Sequence, residues 1–356
     1  KIMTLLLAVE AVERGDVNLS DTVTAYDDCN ADMVEGASNA DIKVGETMTF
    51  EDFLYCAMIS SANEACNVVA EYVCGSISAF VERMNARAQE LGCTGTHFCN
   101  PCGLHEDDHY TTAHDLYRIT KEALSHELFA TICNTVKHTV PATNMSEERT
   151  LSNTNGLINP ESPMYRGYYY EYAKGVKTGH TDAAGYCLIS TAESGSLHFL
   201  SVVCGCETLQ NDDGTETDQR FTETKRLFEY GFNHLSSVQV LADTALVDMP
   251  QVLYAEGRDS VVVRAKDNIS VLLPDSCDTS GITLTVQYDS EAPLEAPLEA
   301  ETKVGTVSAV LDGKVLATCD LVTLTAVMRS TPKYVAKQTE SVLAKIWKGM
   351  WRLWFV

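Results

Sequence analysis

Gly175-Val176-Lys177-Thr178-Gly179-His180-Thr181-Asp182 is the most specific signal in the chain. It stands just ahead of two runs, 185–192 and 197–204, that read as strands joined by the polar, Gly-containing turn Glu193-Ser194-Gly195-Ser196, a hairpin. By itself Lys-Thr-Gly is weak, because a tripeptide arises easily by chance and an exposed Lys-Thr turn has no required function. Upstream, Ser60-Ser61-Ala62-Asn63 interrupts a helical stretch at 50–74 and, taken alone, reads as a helix N-cap. Lys1-Ile2-Met3-Thr4 opens a further helix over 5–14, and alone it means almost nothing. Apolar residues at i, i+3 and i+4 predict helices at 77–91 and 113–124.

After Gly231 the pattern changes. Short β-branched runs at 238–241, 260–264, 269–273, 282–288, 304–310 and 321–327, with turn residues such as Asp312-Gly313, predict a small all-β, sandwich-like domain. The doubled Ala-Pro-Leu-Glu at 292–299 is too short for an architectural repeat and reads as a loop. The domains expected are therefore 1–235, 236–330 and a tail at 331–356.

Composition narrows the function. With 356 residues and 45% apolar side chains the chain can bury a sizeable core. Twenty-six basic against fifty acidic residues give −24, which argues against nucleic acid as a partner, since phosphate binding needs a basic footprint. No apolar run reaches the roughly 18 residues of a spanning helix. Thirteen cysteines is an odd number, and Cys56, Cys66, Cys74, Cys133, Cys187 and Cys204 lie in contexts that suit buried free thiols.

The tail differs from the rest. From Lys333 onward the net charge is +4 against −28 before it, and all three tryptophans fall there. On a helical wheel Val342, Leu343, Ile346, Trp347, Met350, Trp351 and Trp354 share one face, opposite Lys337, Ser341, Lys345, Lys348 and Arg352. This predicts an interfacial helix lying in a membrane plane, with Trp347, Trp351 and Trp354 at the headgroups and Lys345, Lys348 and Arg352 toward anionic lipid. Packing on the β domain or on a partner is the competing expectation.

Taken in order, the three motifs make the chain resemble the serine acyl-enzyme peptidases of the penicillin-binding superfamily, which carry Ser-x-x-Lys at the start of a helix, then Ser-x-Asn on an interhelical loop, then Lys-Thr-Gly on a strand edge. More specifically it is similar to the low-molecular-weight D-alanyl-D-alanine carboxypeptidases. The likeness also covers Asn100-Pro101-Cys102-Gly103-Leu104, Tyr110-Thr111-Thr112-Ala113-His114-Asp115-Leu116 and Asn153-Thr154-Asn155-Gly156-Leu157, and it continues through the β domain and the tail. The resemblance implies an α+β penicillin-binding/β-lactamase-like catalytic domain, helices around an antiparallel sheet, then the β domain and an amphipathic helix.

It also implies roles. A serine hydroxyl needs a base within hydrogen-bond reach. Lys1 would be that base, aided by burial and by the like charge of Lys177. Ser61 would relay a proton to the leaving D-alanine nitrogen, and Asn63 would hold Lys1 and the substrate amide. Lys177, Thr178 and Arg220, which precedes a helical run at 222–232, would bind the terminal carboxylate. The backbone N–H of His180, after Gly179, would serve the oxyanion hole. The nucleophilic serine is expected three positions before Lys1, so a signal peptide, a first strand and that serine are expected upstream in a longer protein.

The implied partners are a peptidoglycan pentapeptide, β-lactams and a membrane surface, on the outer face of a bacterial cell membrane, with no cofactor. A β-lactamase-like hydrolase and a non-catalytic wall-binding protein are the alternatives. One competing constellation, His97, Cys99, Cys102, His105 and His109, has zinc-like spacing. Its alternative is a tight Asn-Pro turn with surface histidines; the resemblance favours that turn, and no metal is expected.

Overall fold

A computed structural model describes residues 1–30, 33, 34, 36–162, 165 and 167–354. The chain divides into two compact units, 1–233 and 234 onward.

The first unit opens with helix α1 (Ile2–Arg14), whose residues from Ile2 to Ala11 are all buried and which ends on Gly15 at φ 76. A two-stranded pairing of β1 (Thr22–Thr24) and β2 (Thr47–Thr49) leads into α2 (Phe50–Met58), capped by the Thr49 side chain accepting from the Asp52 N–H. Helices α3 (Asn63–Cys74), α4 (Ile77–Glu90), α5 (Ala113–Ala123) and α6 (Glu127–Asn134) complete the helical layer. A short hairpin of β3 (Lys137–Val140) and β4 (Arg149–Ser152) follows.

The sheet that matters for function is β5 (Ala173–Thr181), β6 (Gly185–Ser194) and β7 (Leu197–Cys206), in that spatial order and antiparallel throughout. Lys-Thr-Gly lies on an edge strand, as the resemblance implies; Lys177, Thr178 and Gly179 pair with Ile189, Leu188 and Cys187. Side chains alternate between two cores, as a strand's two-residue period requires. Val176, Ile189, Leu200 and Val202 join the core of the helical layer, while Leu188, Ala192 and Phe199 pack with Tyr170, Phe221 and Phe228. The last two aromatics come from α7 (Gln219–His234), which follows a small hairpin of β8 (Thr208–Gln210) and β9 (Glu216–Asp218).

The second unit is β-rich. Its strands are β10 (Leu235–Leu241), β11 (Leu246–Asp248), β12 (Val252–Leu253), β13 (Val263–Ala265), β14 (Ile269–Pro274), β15 (Thr283–Tyr288), β16 (Leu294–Glu295), β17 (Lys303–Leu311) and β18 (Lys314–Thr323). A five-stranded sheet in the order β11-β13-β18-β17-β15 shares one core with the β10-β14 pair, through Val263, Val307, Leu321, Ile269 and Val271. Asp312 at φ 50 and Gly313 at φ 76 make the two-residue turn between β17 and β18, the double positive φ that a twisted hairpin favours. Two expectations change here. The run at 321–327 is only the end of β18, because the mixed stretch before it pairs along β17. The doubled Ala-Pro-Leu-Glu is not all loop, since Leu294–Glu295 pairs in parallel with Val252–Leu253.

Helix α8 (Thr331–Trp354) closes the chain. Its first turn is fixed to the β domain by Lys333 Nζ on Asp259 at 2.7 Å and by Tyr334 edge-on to Tyr254 at 5.4 Å. Farther along, Val342, Leu343 and Trp347 are exposed, as is Lys345. The side chains of Ile346, Lys348, Met350, Trp351, Arg352 and Trp354 lie outside the described residues. Among the described residues no helix is long and apolar enough to cross a membrane.

Candidate active site

The three motifs converge in the first unit. Burial of Leu5, Leu6 and Val9 fixes α1, and its start carries Lys1 to the loop after α4. There Lys1 Nζ donates to Asn63 Oδ1 at 2.6 Å and to the Cys102 carbonyl at 2.5 Å. One turn on, the Thr4 hydroxyl donates to the Pro101 carbonyl at 2.6 Å, so two adjacent carbonyls of that loop are gripped from one helix face.

Between α2 and α3 the chain turns through Ser61 at φ 63, a left-handed conformation that costs a non-glycine residue of order 1 kcal/mol or more. The N-cap of α3 is Ala62, without a side-chain hydrogen bond, so the N-cap reading of the serines does not hold. What holds this turn is long-range. The Asn63 N–H donates to the Ser38 carbonyl at 3.0 Å, and the carboxylate of buried Glu64 accepts from the Ala40 N–H at 2.6 Å. Glu64 Oε2 has no hydrogen-bond partner among the described residues.

From β5, Lys177 is buried at 8% exposure, and its Nζ donates to the Thr178 carbonyl at 2.9 Å. Burial, reinforced by the charge of nearby Lys1, pushes the Lys177 ammonium down to about 7. Thr178 is buried too, its hydroxyl 2.6 Å from that of Thr154. Gly179 and His180 are exposed, with the imidazole stacked on Tyr186 at 4.1 Å. Among the described residues β5 is an edge of its sheet, so its outer N–H and C=O groups are placed to pair with an extended peptide.

Arg220 reaches the same strand from behind. Its guanidinium is buried, paired to Asp218 at 2.8 Å, donating to the Tyr165 hydroxyl at 2.9 Å and to the Gly179 carbonyl at 3.3 Å. It also lies over the rings of Tyr165, Tyr186 and Phe221, each about 5 Å away. The structure therefore brings Arg220 to Lys-Thr-Gly, but turns it onto the strand's own carbonyl.

Among the described residues the zinc-like cluster brings no three ligand atoms together, although Cys99 Sγ lies 3.7 Å from His97 Nδ1. Cys102 turns its carbonyl to Lys1 and its thiol to Asn100, whose Oδ1 also accepts from the Gly103 N–H at 2.7 Å in a tight turn. His97 bonds the Asp108 carbonyl, and His109 accepts from the Cys99 N–H. Among the described residues, Glu10, Glu122 and His126 alone bring three ligand-type atoms together, and Arg87 already bridges the two glutamates.

Sequence reasoning missed Thr154, Asp218, Tyr165 and the Cys102 carbonyl. Thr154 and Cys102 lie inside motifs that the resemblance quotes, but a carbonyl acceptor leaves no mark on residue type. Asp218 and Tyr165 act through Arg220, which only the fold brings to them.

An α+β unit carrying half-buried Lys1 beside buried Lys177, a strained Ser-Ala-Asn turn and an edge strand with Lys-Thr-Gly defines a penicillin-binding-type fold. Comparison with known sequences narrows it. Residues 1–208 match the family model for D-alanyl-D-alanine carboxypeptidase (peptidase S11), and residues 238–329 match that for the penicillin-binding protein 5 C-terminal domain. The chain belongs to this D-alanyl-D-alanine carboxypeptidase family.

It is 30% identical to the D-alanyl-D-alanine carboxypeptidase DacF of Bacillus subtilis over 89% of this chain and 75% of that protein. With the D-alanyl-D-alanine carboxypeptidase DacC of Escherichia coli it shares 27% identity over 99% of this chain and 82% of that one. Penicillin-binding protein 5 from Haemophilus influenzae has the same fold, with a TM-score of 0.71 at 24% identity over 92% of this chain and 90% of that one.

Proposed function

We propose that the protein is a serine-type D-Ala-D-Ala carboxypeptidase, removing the terminal D-alanine of peptidoglycan stem peptides through an acyl-enzyme that β-lactams also form. The observation carrying this reading is the 2.6 Å contact of Lys1 Nζ with Asn63 Oδ1, beside the buried Lys177 from the third motif. Acyl transfer requires a base within hydrogen-bond reach of the serine, and this reading assigns that role to Lys1.

The nucleophile of this reading is a serine three positions ahead of Lys1, the spacing the resemblance implies. Its oxygen attacks the penultimate D-alanine carbonyl while its proton passes to Lys1 Nζ. The oxyanion is held by backbone N–H groups, that of His180 among them. Ser61 relays the proton to the departing D-alanine nitrogen, and water then hydrolyses the ester with Lys1 again as base. Lys177 and the Thr178 hydroxyl take the terminal carboxylate. Arg220, neutralised by Asp218, fixes the strand through the Gly179 carbonyl.

The exposed apolar residues Val342, Leu343 and Trp347 support seating α8 on a membrane surface, which in this reading is the outer face of a bacterial cell membrane.

The test compares turnover of a synthetic peptide ending in D-Ala-D-Ala with turnover of penicillin, using protein that includes the upstream serine. Release of D-alanine with long-lived penicillin occupancy is expected. Rapid penicillin hydrolysis without D-alanine release would instead identify a β-lactamase-like enzyme.

A further inference from the structure

The six cysteines expected to be buried behave in two ways. Cys56, Cys66 and Cys133 are fully enclosed, and burial raises their thiols. Cys204 is exposed, and Cys187 and Cys74 are half-buried. Two of these meet across β6 and β7.

The strands keep one register from Ser194 opposite Leu197 to Leu188 opposite Val203, and resume one residue later with Tyr186 opposite Cys206. One further step of the first register sets Cys204 opposite Cys187. Gly205, at φ 69, is then the extra residue of a bulge. Residues opposed in an antiparallel pair share a face and have Cα atoms about 4.5–5.5 Å apart. A disulfide spans about 4.4–6.8 Å.

The Cys187 thiol lies within 3.7 Å of the Ala184 carbonyl and 3.8 Å of the Gly185 carbonyl, and the neighbouring Cys204 thiol and Gly205 N–H hold it below the ordinary cysteine range. On its other side Cys187 faces Gly179, where a Cβ would stand 3.9 Å from its own. The pair thus lies beside Lys-Thr-Gly, on the face that carries Lys177 and Ile189.

We propose that Cys187 and Cys204 form a dithiol modification site that takes up small-molecule disulfides and closes to a cross-strand disulfide. The Cys187 thiolate attacks one sulfur of RSSR, and RS⁻ leaves with the proton that Cys187 had lost. The Cys204 sulfur then attacks the Cys187 sulfur of the mixed disulfide, and its proton goes to the second departing RS⁻. Two protein thiols are oxidised to one disulfide while RSSR is reduced to two RSH. Neither step involves substrate, so the site stands independently of the proposed activity.

The test incubates the native full-length protein with glutathione disulfide, blocks remaining thiols, and digests with a glutamate-specific protease, which cuts at Glu193 between the two cysteines. A linked Cys187–Cys204 peptide is expected in the wild type and in Cys206→Ser. Cys204→Ser should instead accumulate glutathione on Cys187. An unmodified Cys187 in that variant, or a wild-type link running to Cys206, would overturn the proposal. So would glutathione scattered over the other cysteines with no linked peptide.

Discussion

The two units bury different things. Every buried charged side chain among the described residues, including Glu64, Lys177, Asp218 and Arg220, lies within 1–233, whereas Thr323 is the one buried polar residue recorded beyond it. The core of the second unit is aliphatic: Val263, Val307, Ala309 and Leu321 are sealed by a five-stranded sheet. Buried charge is expensive unless paired. The first unit therefore gives up stability around its lysines, and the second does not. The buried charge thus lies in the unit that carries the three motifs.

The largest expected effect sharpens the contrast on the chemical side. Lys1→Ala removes the proposed base and should slow penicillin acylation by about 10²–10⁴-fold, the usual span for general-base catalysis, measured by the rate of adduct formation. The opposite test belongs to the second unit. Leu321→Ala should cost about 2–5 kcal/mol of that unit's stability, read from its calorimetric unfolding transition, because a fully buried side chain leaves a cavity.

Lys177→Met carries the comparison furthest, since activity and stability should move apart. Acylation should fall, while the first unit's melting temperature holds or rises at pH 6, where the wild type carries the buried charge. The sign across pH follows from linkage. The folded-state pKa of Lys177 is lowered to about 7 from 10.5, so between these values the unfolded chain binds the extra proton. Wild-type stability relative to Lys177→Met should therefore rise from about pH 7 to about 10.5 and stay flat below pH 7. A difference that does not change across that window would break the buried-charge account.

The smallest effect concerns Thr154. Thr154→Val leaves the Thr178 hydroxyl without its 2.6 Å partner, which should cost about 1 kcal/mol of the first unit's stability and lower its melting temperature by about 2–4 °C, read by calorimetry.

Local pattern carried much of this architecture. The helical periods, the Glu193–Ser196 turn, the Asp312-Gly313 turn and the switch to β-branched runs after Gly231 are short-range features, and the structure keeps them. The motif lysines were legible as residue types in order. Partners distant in sequence were not. Nothing near Arg220 says that Asp218 and Tyr165 will enclose it, and nothing at Ser61 foretells a left-handed backbone held by Ser38 and Glu64. At Lys-Thr-Gly the residues alone are weak for a strand, and the edge strand there was legible through the resemblance, not through local preference. Cys204 looked like a core thiol, since exposure is decided by which strand covers it.

The central claim is that Lys1, beside the buried Lys177, activates a serine for acyl transfer. Intact mass after penicillin treatment, on protein extended upstream to its native start, tests it most directly. One stoichiometric adduct is expected, lost in Lys1→Ala and in Lys177→Ala. A folded, extended protein that takes up no penicillin would contradict the account.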